Sequence, residues 1–152
     1  MYKWILLGHL IGASTLFGGH VYMEGLMASA NKAGDDSIYM TIMLRTAKTA
    51  DRLMGPAGLI TLVFGIWLVI DGAAWEFSQM FVSLGFLFVI AAFAIGLFVM
   101  RPKSQEIDAA IEEDGLTAEK AVSTMKSLGT LVHIQTAIVA VALVIMVFKP
   151  GL

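Results

Sequence analysis

The chain is 152 residues long, 58% hydrophobic and only 14% charged, with mean hydropathy +0.81, whereas soluble domains average about 45–50% apolar and about 25% charged residues. That balance excludes an ordinary soluble domain and points to an all-α integral membrane protein. Net charge is −2, which suggests neither nucleic acid nor a strongly acidic partner, and the lack of cysteine removes disulfides, thiolate metal sites, iron–sulfur ligation and cysteine nucleophiles.

The first apolar stretch runs from Trp4 to about Leu26. Its single lysine, apolar run and small residues imitate a signal peptide, and the expectation is that it is retained as the first span. The connection after it carries Lys32, Arg45, Lys48 and Arg52. From Ser37 to Arg52 apolar residues recur at helical spacing without glycine or proline, so this segment extends the second helix beyond the membrane. The second stretch is Leu53–Ile70, with Pro56 near its start predicting a kink. A short connection, Asp71 to Glu76, has no Lys or Arg and leads into the third stretch, Phe77–Met100. Ser104–Glu113 again reads as helix, Asp114-Gly115 as a turn, and Thr117 ahead of Glu119 and Lys120 as a capped helix start. The fourth stretch is about Leu128–Phe148. Each stretch meets the length needed to cross a hydrocarbon core of about 30 Å. The expectation is one transmembrane domain over residues 1–152, an up-down four-helix bundle with spans at about 4–26, 53–70, 77–100 and 128–148.

Eight of the ten Lys and Arg residues fall in connections one and three; only Lys3 and Lys149 lie elsewhere. The positive-inside rule therefore puts both connections in the cytoplasm and both termini outside, in the cell (inner) membrane. Trp4, Trp67 and Trp75 all fall at the outer boundary, as an interfacial belt does. Asp51-Arg52, at the cytoplasmic start of span two, has its simplest role as an interfacial ion pair.

The candidate chemistry lies with the three histidines. His20 is 17 residues after Lys3 and His133 is 16 before Lys149, which at the rise of an α-helix is about 25 Å and about 24 Å from one membrane surface. Two imidazoles at one depth can clamp a haem iron from opposite sides. Gly18 and Gly19 beside His20 leave room for a macrocycle, and Thr130 and Thr136 can orient the His133 ring. Arg45, Lys48, Arg52 and Lys126 lie near the inner surface, where propionates need cations. The plain alternative is that these histidines hydrogen-bond across helices or sit near the headgroups. His9 lies 11 residues before His20, within about 20° of the same helix face. Met80 and Met146 can approach it, which allows a second haem or a copper site; a hydrogen bond to a neighbouring carbonyl is the simpler role. Glu24, one turn after His20, can bind a metal or relay a proton with it, or simply pair with Arg52. The ten methionines are scattered in sequence without a tight cluster, which favours packing over copper handling. Gly8 and Gly12 form a small-xxx-small step for a close helix contact, within the chain or between protomers.

Lys3-Trp-Ile-Leu-Leu-Gly-His9-Leu-Ile-Gly12 and Leu16-Phe-Gly-Gly19 resemble the first helix of the DUF2269 family of predicted integral membrane proteins. Ala50-Asp51-Arg52-Leu53 with Pro56, and the ending Val144-Ile-Met-Val-Phe-Lys149-Pro150, are similar to that family as well. More distantly, a first-helix histidine followed by a glycine pair resembles the four-helix membrane proteins of the HemJ and CopD types, and that resemblance implies haem or copper, with His9 as the family-like histidine. The expected function is a b-type haem membrane protein in electron transfer or oxidoreduction, with quinone or a small oxidant as partner. A homo-oligomer or a larger membrane complex is expected around it. The rival readings are a non-enzymatic accessory subunit of such a complex and a copper or metal transporter. Ser78, Gln79, Ser83 and Thr61 form no obvious polar path, which counts against transport.

Overall fold

The computed structural model describes residues 1–72 and 75–151, apart from the Asp51 side chain; the expected Asp51–Arg52 ion pair therefore lies outside the described residues. Helix α1 spans Tyr2–Lys32, α2 Asp36–Asp71, α3 Met80–Ile95, α4 Arg101–Asp114 and α5 Glu119–Phe148. A π-helical turn, Gly96–Met100, joins α3 to α4, so Met80–Asp114 forms one continuous rod. Four rods are thus long and apolar enough to cross a membrane, and no strand occurs among the described residues.

Local chemistry explains most of the boundaries. The Asp35 carboxylate caps α2 by accepting the backbone N–H groups of Ser37 at 2.8 Å and Ile38 at 3.0 Å. Helix α4 ends before Gly115, whose φ of +91° lies in a region that L side chains rarely adopt. The Asp114-Gly115 turn is therefore where the sequence puts it. The Thr117 cap is not: α5 begins after Ala118 and has no side-chain cap. Helix α2 runs on through Pro56, which lies inside it. The π turn has a cause in Pro102, which has no N–H and whose ring would crowd the Phe98 carbonyl in a regular helix. The Arg101 N–H instead reaches back five residues to the Gly96 carbonyl, which widens the turn.

Tyr2, Trp75 and Lys149 gather at one end of the bundle. The Trp75 indole N–H donates to the Tyr2 hydroxyl at 3.4 Å, and the Lys149 ammonium lies 4.2 Å from the centre of the Trp75 ring. At the opposite end Lys126 meets Asp36 at 3.4 Å and Lys120 meets Glu106 at 3.5 Å. The up-down topology follows from these two sets of contacts. Close packing concentrates at the second, charged end, where Ala30, Met40, Ile107 and Ala121 are at most 1% exposed. These residues lie beyond the apolar spans, where water drives burial. Inside a bilayer, lipid tails are as apolar as leucine and that drive vanishes. The spans are accordingly looser.

Within the spans α1 packs mainly on α2 and α3 mainly on α5. The Gly8–Gly12 step makes the first of these contacts, inside the chain. A Cβ on Gly8 would meet the Phe64 ring at 2.5 Å, and one on Gly12 would meet the Thr61 backbone nitrogen at 2.8 Å. The α1–α2 and α3–α5 pairs join chiefly where α1 meets α5, while α2 and α3 touch sparsely.

Candidate functional site: an intramembrane cavity and its histidines

Two helix pairs that meet along one side leave space between them. A cavity of about 750 Å³ runs between the pairs, from Tyr2, Trp75 and Lys149 at one end to Arg101 and Ser104 at the other. Its walls are mostly apolar, and Gly55, Gly58, Gly65, Gly85 and Gly96 contribute to them. The volume falls in the range of about 300–1,000 Å³ typical of ligand and cofactor sites.

His9 and His20 both line this cavity, as their 11-residue spacing on one helix face predicts. His20 is only 4% exposed. Its Nδ1–H donates to the Leu16 carbonyl at 2.9 Å, so in the neutral ring the lone pair rests on Nε2. Among the described residues no fully enclosed side-chain nitrogen or oxygen lacks a partner, so Nε2, which makes no hydrogen bond, borders open space. His9 Nδ1 is bonded in the same way to the Thr61 carbonyl at 2.9 Å, across to α2. Gly65 allows that approach, since a Cβ there would lie 3.2 Å from the His9 ring. This is the carbonyl bond expected for His9 as its simpler role.

His133 is placed elsewhere. It is not among the residues that line the cavity; it stands on the seam between α1 and α5 with 59% of its side chain exposed. Its Nδ1–H donates to Glu24 Oε2 at 2.5 Å, and the Thr136 hydroxyl donates to Glu24 Oε1 at 2.9 Å. Glu24 therefore pairs with α5 rather than with Arg52, because α5 packs against α1 at this level. His133 thus meets α1 at Glu24, one helical turn beyond His20, and does not join His20 in the cavity.

The remaining sequence candidates divide likewise. Gly19 packs against Met54, whose Cγ would lie 3.4 Å from a Cβ placed there. Thr130 and Arg52 are exposed. Lys126 is held by Asp36 and lies 5.8 Å from the centre of the Tyr39 ring. Of the cations, neither Arg45, Lys48, Arg52 nor Lys126 lines the cavity, whereas Arg101 does. Met146 lines the cavity with His9 and Met80 does not.

Two features went unread in the sequence. Met23, Met43, Met54, Met100 and Met125, scattered along the chain, all line the cavity and pack in or against the core at the charged end, so the thioethers do gather. Gln135 also lines it and donates to the Ala92 carbonyl at 2.9 Å, tying α5 to α3. Its position inside an apolar run is a signal in itself, since polar groups at membrane depth need protein partners.

The arrangement offers two imidazole nitrogens, several thioethers and one guanidinium around an apolar void. No curated protein and no solved structure matches the chain. The profile of DUF2269, described as a predicted integral membrane protein, matches residues 3–150, and the chain belongs to that family.

Proposed function

We propose that the protein binds a b-type haem in the cavity between its helix pairs and transfers electrons within the membrane. The observation that carries this reading is His20, a buried imidazole that lines a 750 Å³ cavity, with its Nδ1–H held by the Leu16 carbonyl and its Nε2 free of hydrogen bonds among the described residues. Metal-ligating histidines characteristically donate the other ring N–H to a carbonyl or carboxylate, which fixes the tautomer and turns the free nitrogen to the metal. The donor set fits the group. Imidazole and thioether both serve as haem ligands, the cavity supplies both, and no cysteine competes. Met54, which packs against Gly19 beside His20 and lines the cavity with it, is one thioether on the His20 side. Arg101, at the charged end of the cavity, is the guanidinium suited to a propionate carboxylate. Haem supplies one-electron chemistry; this chain binds it, excludes water and sets the polarity around it. Quinone or a small oxidant is the exchange partner that suits a carrier confined to the membrane.

The test is an optical spectrum of the purified protein, oxidised and dithionite-reduced, after expression with ample haem. Wild type and His133→Ala are expected to show a Soret band that sharpens on reduction, and His20→Ala to lose it. A colourless wild type, or a band that survives in His20→Ala, overturns the assignment. Copper in the metal analysis of a colourless protein would turn the thioether–imidazole set to soft-metal binding instead; neither haem nor metal would leave the accessory-subunit reading.

A further inference from the structure

The Glu24–His133–Thr136 cluster lies outside the cavity and needs its own explanation. Ionisable groups at membrane depth normally face the bundle interior or a water-filled space. Here the imidazole is the outermost member, 59% exposed, with Glu24 behind it at 26%. Two hydrogen bonds converge on that carboxylate, one from His133 at 2.5 Å and one from Thr136 at 2.9 Å. The single Thr136 hydroxyl hydrogen is shared between Glu24 Oε1 and the Val132 carbonyl, both at 2.9 Å, which seats the side chain on its own helix. Glu24 is thus fixed by two α5 side chains. The ring in turn is fixed through Nδ1–H on Glu24, and among the described residues Nε2 has no hydrogen-bond partner.

By helical spacing, the exposed positions that flank the cluster are apolar or small: Val21 on α1 and Ile134 on α5 are exposed, and so are Gly25 and Ala137, which add little bulk. A flat ring approaching from the lipid meets little obstruction there. Nε2 accepts a hydrogen bond while the ring is neutral and donates one once protonated, with Glu24 opposing the added charge. One nitrogen can therefore hold either a ring hydroxyl or a ring carbonyl.

We infer that the seam between α1 and α5 at His133 is a docking site, open to the lipid, for the head ring of a membrane-soluble quinol or quinone. An apolar tail keeps such a molecule in the bilayer, its flat ring suits the small-residue surface, and its hydroxyl or carbonyl complements Nε2 in either protonation state. The meaning of the site for electron transfer rests on the haem reading; the docking itself does not. Glu24 follows His20 by one helical turn, so a ring at this seam sits on the same helix as the proposed iron ligand.

The experiment is photolabelling with an azido-substituted ubiquinone, using the full chain in phosphatidylcholine nanodiscs, mapped by mass spectrometry. Label is expected on the peptides holding 21–28 and 130–137, displaced by unlabelled decylubiquinol. His133→Phe keeps a flat ring at an exposed position, and Glu24→Gln keeps the shape of the carboxylate. Each is expected to weaken binding about tenfold, the scale of one hydrogen bond involving a charged group. His20→Ala is expected to abolish the haem spectrum and leave the label in place. Absent label, label in the central cavity beside His9, or equal labelling of His133→Phe overturns the inference. So does competition by phosphatidylethanolamine, which would assign the seam to headgroups, or a stable dimer that His133→Phe dissociates. A colourless protein labelled at the seam would sink the haem reading alone.

Discussion

Gly12→Ala isolates the contact that sets α1 against α2. A Cβ there would stand 2.7 Å from Thr61 Oγ1, 2.8 Å from the Thr61 nitrogen and 3.0 Å from the Ala57 carbonyl, whereas ordinary contact begins near 3.4 Å. Two of the three obstacles are backbone, so no rotamer change relieves them and the helices must part by about 0.6 Å, the shortfall at the Thr61 nitrogen. Overpacking of this kind costs about 1–3 kcal/mol. The same parting stretches the bond from His9 to the Thr61 carbonyl, now 2.9 Å, adding up to about 1 kcal/mol. The expected loss is about 1–4 kcal/mol, or roughly 2–16 °C in midpoint for a chain of this size. The control is Gly18→Ala on the same helix, where a Cβ meets nothing within 4 Å; alanine is the better helix former, so that variant should match or slightly exceed wild type. Thermal unfolding of both in one detergent reads the difference. Thr61→Ala on the Gly12→Ala background removes the 2.7 Å obstacle and leaves the 2.8 Å one, so rescue should be partial. Equal midpoints for Gly12→Ala and Gly18→Ala would refute the close contact and the interhelical geometry built on it.

Ile107→Ala, at 1% exposed in the core of the charged end, should cost about 2–5 kcal/mol in the same assay. Leu87→Ala, 59% exposed on α3, should stay within about 0.5 kcal/mol; similar losses in both would contradict a core concentrated beyond the spans. The chain has no cysteine, so Lys3→Cys and Glu113→Cys each introduce one thiol. With termini outside, a membrane-impermeant maleimide should label Lys3→Cys in intact cells and Glu113→Cys only after permeabilisation, and the reverse pattern would invert the orientation.

The architecture was legible because its signals are local. Long apolar runs mark the spans, Asp114-Gly115 marks the turn, and the helical spacing of Ser37–Arg52 and Ser104–Glu113 announces the projecting ends. The shared face of His9 and His20 was legible for the same reason, since one helix fixes both angle and depth. The relation of His20 to His133 was not. Counting residues gives depth along each rod, but the rotation of α5 about its own axis is set by packing, and Glu24 on α1 claims His133. The thioethers were hidden in the same way, because Met23, Met54 and Met125 stand on three helices and meet only when those helices assemble. Thr117 shows the opposite failure, in which a sound local signal is overruled: the chain enters α5 at Ala118 with no side-chain cap.

The division of the spans into two pairs also has a temporal side. Synthesis delivers α1 and α2 first, so the Gly8–Phe64 and Gly12–Thr61 contacts become available once residue 71 is made, with more than half of the chain still to come. Both cavity histidines belong to this early hairpin, and their Nδ1 bonds, to Leu16 and Thr61, are complete within it. The later hairpin then arrives as a wall against a half-site already set. For a bulky occupant, the moment of easiest entry falls during biogenesis, before α3 and α5 enclose the space.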